Sequence, residues 1–199
     1  MNNSATAKQL PSEAVLRRVN GMQLKTPAEL LAQLIEAGFA ERAKSFLGCT
    51  EEEISCLEED FQLRLPEAYK EFLRAFGKQS GFFLDDCSYL YPTLKDIKKE
   101  AENMANQLSF NLEPTWFVFL VRDDIFLYFD TQQAQDPPVW RFDEGTEKIE
   151  LVFPSYSAWL NNIVQGDVAG MRRCYALERE LEERNHNDQE DITDLVDGN

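Results

Sequence analysis

Two runs of bulky side chains, Trp116-Phe117-Val118-Phe119-Leu120-Val121 and Ile125-Phe126-Leu127-Tyr128-Phe129, stand on either side of Arg122-Asp123-Asp124. Aromatic and β-branched residues favour extended backbone, and the polar interruption supplies turn chemistry, so the pattern predicts a β-hairpin. Neither run alternates between apolar and polar positions. Strands that are apolar at almost every position are covered on both faces, so the sheet holding this hairpin needs partners on each side.

Further strands follow the hairpin. Pro137-Pro138-Val139-Trp140-Arg141-Phe142 reads as a third, with its prolines at the entry, where no ladder donor is required. Glu150-Leu151-Val152-Phe153 reads as a fourth, and Gly81-Phe82-Phe83-Leu84 as a short one before the hairpin. Helical signals dominate elsewhere. Thr26-Pro27-Ala28-Glu29 and Thr50-Glu51-Glu52-Glu53 are both capping boxes, with Thr placed to accept from the third helical amide and Glu to reach back. Leu30, Leu31, Leu34 and Ile35 continue the first helix at helical spacing, and Ile54, Leu57 and Phe61 the second. Leu65-Pro66 opens a third, striped by Tyr69, Phe72, Leu73 and Phe76 and stopped at Gly77. A middle helix is predicted over about 93–108 and another after Pro154-Ser155, carrying Trp159, Leu160 and Ile163. Short helices are expected around 14–19 and over 39–46, and a separate last helix from Asp167 to about Arg184. Residues 185–199 contain five acids and no Lys or Arg, and read as a disordered tail. The fold class is α+β: an antiparallel sheet of about four to six strands packed with helices. The chain divides by inference into a helical extension over 1–49, a core over 50–166, and a helix with an acidic tail over 167–199.

Charge narrows the function. The net charge is −16, from 36 acidic and 20 basic residues. Phosphate binding needs clustered Lys and Arg, so nucleic acid and anionic membranes are disfavoured as ligands. A basic protein partner would be attracted by a field of this sign, although the same acidity also keeps a protein soluble. No stretch approaches the ~18 apolar residues of a spanning helix. The N-terminus lacks the basic and apolar regions of a signal peptide, so a cytoplasmic location is expected.

Candidate chemistry is sparse. Cys49, Cys56, Cys87 and Cys174 contain no CxxC pair, and the sole histidine, His186, sits in the polar tail. Four free, partly buried thiols are expected, with no metal site and no cofactor. A Ser–His or Cys–His nucleophile would need a histidine held in place. The acidic pairs Asp85-Asp86, Asp123-Asp124, Glu58-Glu59 and Glu182-Glu183 are adjacent in sequence, which does not aim two carboxylates at one point. Asp123-Asp124 is explained by turn chemistry, and Glu58-Glu59 by a solvated helix face. Phosphate-cradle, dinucleotide and zincin motifs are absent from the sequence. The chain is not expected to be an enzyme.

The ordered set Ile54-x-x-Leu57-Glu58-x-x-Phe61, Leu65-Pro66-x-x-Tyr69-x-x-Phe72-Leu73, Gly77, Tyr91-Pro92, the hairpin, Asp136-Pro137-Pro138-Val139, Phe153 and Tyr156-x-x-Trp159-Leu160 resembles the SUKH (Smi/Knr-like) superfamily. The resemblance covers about residues 50–165, and its matching positions have scaffold roles. It implies a protein-binding module, commonly an immunity protein that blocks a polymorphic or contact-dependent toxin. A basic nuclease is one such target, since an acidic protein can occupy a phosphate-binding cleft. The alternatives are a scaffold or signalling regulator of the Smi/Knr type, and an enzyme of unfamiliar type. The candidate partner-binding residues are the loop acids Asp85, Asp86, Asp123 and Asp124, with Tyr89 as an aromatic anchor.

Overall fold

The computed structural model describes residues 23–40, 45–108 and 111–196, with the side chains of Glu183 and of residues 185–196 excepted. Among the described residues, five α-helices pack with a four-stranded sheet: α1 (Pro27–Glu36), α2 (Glu51–Phe61), α3 (Glu67–Phe76), α4 (Leu94–Gln107) and α5 (Tyr156–Val196). The sheet is a consecutive antiparallel meander of β3 (Trp116–Arg122), β4 (Ile125–Asp130), β5 (Val139–Asp143) and β6 (Lys148–Phe153). A separate two-stranded ribbon joins β1 (Phe46–Leu47) to β2 (Gln79–Ser80).

Both capping boxes form. The Thr26 and Thr50 hydroxyls accept from Glu29 N and Glu53 N, each at 3.3 Å, while each glutamate accepts from the capping residue's own amide at 2.8 Å. These contacts satisfy helix-end donors that would otherwise have no partner.

The hairpin is covered on both faces, as its composition requires. Tyr69 of α3 and Tyr156 of α5 are fully buried against Phe117, Phe119 and Phe129, with ring centroids 5.3–6.1 Å apart. Trp159 of α5 meets Phe119 edge-on at 4.9 Å. On the opposite face α4 packs along β3 and buries Ile97, Ala101 and Met104. Irregular register between Val118 and Leu120 marks a bulge that bends β3 within this sandwich. The family-like positions act as scaffold. The Asp136 carboxylate accepts from Ser157 N at 2.9 Å and caps the start of α5, while Gln135 receives the amides of Glu67 and Ala68 at the start of α3.

Several expectations fail for local reasons. The helix proposed over 39–46 is replaced at Phe46 by β1, whose register pairs Phe46 with Ser80; residues 41–44 lie outside the described residues. The strand proposed at Gly81–Leu84 is a turn, because Gly81 (φ +61°) and Leu84 (φ +51°) are left-handed and break an extended run. No break occurs near Asp167. Gly166 has open space around it, so α5 runs straight through, and no proline after Pro154 stops it. The proposed tail is helical as far as Val196, in line with the strong helix formers Leu177-Glu178-Arg179-Glu180-Leu181 that lead into it. Residues 197–199, and the weak helix expected around 14–19, lie outside the described residues. Glu58 is not solvated. It is 8% exposed, accepts from Leu65 N at 2.8 Å and Arg64 Nη1 at 2.9 Å, and ties the α2–α3 connection together.

Candidate protein-docking surface

The four loop acids come to one end of the molecule. After β2 the chain makes the left-handed turn at Gly81–Leu84 and returns beside β3, where Ser88 and Val121 exchange two backbone hydrogen bonds of 2.9 Å. That bridge sets the preceding residues against the end of β3. Arg122, the last residue of the strand, reaches Asp86 Oδ2 at 2.7 Å with both side chains about half exposed. Asp123 and Asp124 follow as the two-residue turn closing β3 on β4, with Arg122 opposite Ile125. Asp123 takes φ +48°, a conformation that a short polar side chain tolerates. The carbonyl of Asp124 accepts from Glu144 N at 2.9 Å, so the β5–β6 turn shares this end. Asp85, Asp86, Asp123 and Asp124 are all exposed.

Tyr89 does not join them at the surface. Its ring is 2% exposed and packs on Phe72 and Phe83, and its hydroxyl donates to the Phe83 carbonyl at 2.5 Å beside Ser80 Oγ. Burial pushes this phenol well above its usual range. In this arrangement Tyr89 is the peg under the loop that carries Asp85 and Asp86.

A fifth carboxylate, Asp167 on α5, was not legible as part of this group. Burial raises its pKa, and the charges of Asp86 and Asp85 raise it further, which sets Asp167 within their field. Only its position one turn past Ile163 on a helix hinted at an inward aspect. Beside it, the Cys87 thiol is pushed up to about 12, first by burial and then by its contact with Asp86. This end of the protein therefore concentrates negative charge around one guanidinium, on a loop and a turn fixed by backbone pairing. It can attract and orient a cationic surface. Among the described residues no group of His, Cys, Asp and Glu is arranged to hold a metal ion, and no helix is long and apolar enough to cross a membrane. All four cysteines are free.

A sequence profile of the SMI1/KNR4 family (SUKH-1) matches residues 48–162, from the start of α2 through the sheet to the first turns of α5. The chain belongs to this family. No curated protein matches it. The profile spans the α2–α3 pair, α4, the meander and the Asp136 cap on α5; α1 and most of the long α5 fall outside it.

Proposed function

We propose that this SUKH-family protein is a non-catalytic immunity protein, which binds and neutralises a polymorphic or contact-dependent toxin through its acidic end. The observation that carries the reading is the clustering of Asp85, Asp86, Asp123 and Asp124 at one end of the fold, on segments held by the Ser88–Val121 bridge and the β3–β4 turn. Domains of this family are associated with protein–protein interaction, and a net charge of −16 favours a basic partner such as a nuclease toxin domain. Arg122 meets Asp86 alone among the four, so the other three carboxylates are left to face a partner's lysines and arginines.

The test is affinity capture by the tagged full-length chain from its native host at low and high salt, read by mass spectrometry. A single basic partner with a toxin domain, released by salt, is the expected result. Capture of several signalling or cell-wall proteins and no toxin domain would refute it.

One observation favours a second reading, a scaffold of the Smi/Knr type. α5 spans 41 residues, about 60 Å; Met171 still packs on the core and Tyr175 lies against Gly38, and beyond them Leu177 and Leu181 are exposed. A scaffold would use that arm. Removing residues 177–199 leaves an inhibitor intact and strips a scaffold of partners.

A further inference from the structure

We propose that the surface between α3 and α5 is a helix-docking groove, and that α1 is the chain's own plug for it. The groove walls lie mainly in the segment that matches the family, whereas α1 precedes that segment. α1 fills the groove as a bound helix does. Leu30 and Leu34, one turn apart, are fully buried, and polar anchors fix the register at each end. Asn161 on α5 is 2% exposed and holds both backbone polar groups of one residue: its Oδ1 accepts from Lys25 N at 2.8 Å, and its Nδ2 donates to Lys25 O at 3.0 Å. Gln165 Nε2 donates to Gln33 Oε1 at 2.6 Å, and Phe39 O accepts from Phe82 N at the far end.

Two features mark α1 as a ligand-like element instead of a core helix. Asn161 reads backbone, so it recognises the entry of a helix and not one particular side chain. The segment's share of the buried cluster is confined to Leu30, Leu34, Ala37 and Phe39, while the aromatic centre around Tyr69, Phe119 and Tyr156 is built without it. The plug keeps the groove closed until it is displaced by a helix with the same Leu-x-x-x-Leu spacing. This inference does not depend on which partner the acidic end takes.

The experiment starts from the full chain, with a site-specific protease sequence inserted between Arg42 and Ala43 and a fluorophore on the N-terminal piece. After cleavage at micromolar concentration the two pieces co-elute. Excess synthetic peptide of residues 23–40 displaces the labelled piece, and the same peptide carrying Leu30→Glu and Leu34→Glu does not. Asn161→Ala weakens the association about thirtyfold, from the loss of two hydrogen bonds worth about 1 kcal/mol each. The body keeps a cooperative thermal transition once the piece has left. Loss of that transition on release, or failure of the wild-type peptide to exchange, would show that α1 is an inseparable part of the core and overturn the proposal. Unchanged affinity in Asn161→Ala would overturn the role given to the clamp.

Discussion

The hydroxyl of Tyr69 makes no hydrogen bond although the residue is fully buried, and the same holds for Tyr156, whose ring meets Tyr69 edge-on at 5.3 Å. Burial drives both phenols far above their usual range. A buried hydroxyl without a partner costs about 1–3 kcal/mol of desolvation. Replacing it by hydrogen removes that cost, loses no hydrogen bond, and leaves a void smaller than a methyl group. Tyr69→Phe therefore stabilises the fold by about 1–2 kcal/mol, and Tyr156→Phe by a similar amount. In a chain of this size that corresponds to a rise in melting temperature of about 2–8 °C. Urea titration should show a higher midpoint at unchanged slope, since the surface exposed on unfolding does not change. The double variant distinguishes two causes. Independent orphan hydroxyls give additive gains, whereas two hydroxyls sharing a bridging water give single variants that each lose stability and a double variant that loses no more than either. Destabilisation of Tyr69→Phe by 1 kcal/mol or more refutes the reasoning.

Other expectations follow from the same structure. Glu58→Ala strands the buried Leu65 amide and costs about 2–3 kcal/mol in urea titration, while Glu59→Ala on the exposed face stays within about 0.5 kcal/mol. Asp167 has a raised folded-state pKa, so the native state binds more protons than the unfolded state between the ordinary value of 3.8 and the raised one, and stability falls as pH rises through that window. Asp167→Asn then raises the melting temperature at pH 7 and leaves it unchanged near pH 3. With thiols pushed up to about 12, Cys49 and Cys87 should react with iodoacetamide at pH 8 far more slowly than the exposed Cys56 and Cys174, as read by intact mass against time.

What could be read from the sequence depended on how local each signal was. The capping boxes at Thr26 and Thr50 are complete within four residues, and both helices start where those residues say. The hairpin runs are apolar enough to require cover on both sides, and the helices supply it. Signals that depend on a distant return of the chain were misread. Glu58 resembles any surface glutamate until Arg64 and Leu65 fold back onto it, and Tyr89 resembles an exposed loop aromatic until Ser80 and Phe83 close around its hydroxyl. The two-residue strands β1 and β2 are too short to carry a period, and Phe46 could not show that it would meet Ser80. A separate helix is expected from Asp167, yet Gly166 before it costs only about 1 kcal/mol on an open helix face and α5 absorbs it. The clustering of the loop acids needed the Ser88–Val121 bridge, a contact between residues 33 positions apart that leaves no mark on either segment.

The most direct test of the acidic end compares capture by the wild-type chain with capture by two variants of equal net charge. In one, Asp85, Asp86, Asp123 and Asp124 become lysine, which shifts the charge by eight, from −16 to −8. In the other, the exposed acids Glu52, Glu59, Glu71 and Glu180 become lysine, with the same shift. The prediction is that a basic partner held by the wild type is lost from the first variant and kept by the second, while both remain folded by circular dichroism. Retention by the first variant, or equal loss from both, would contradict a docking surface at this end of the sheet.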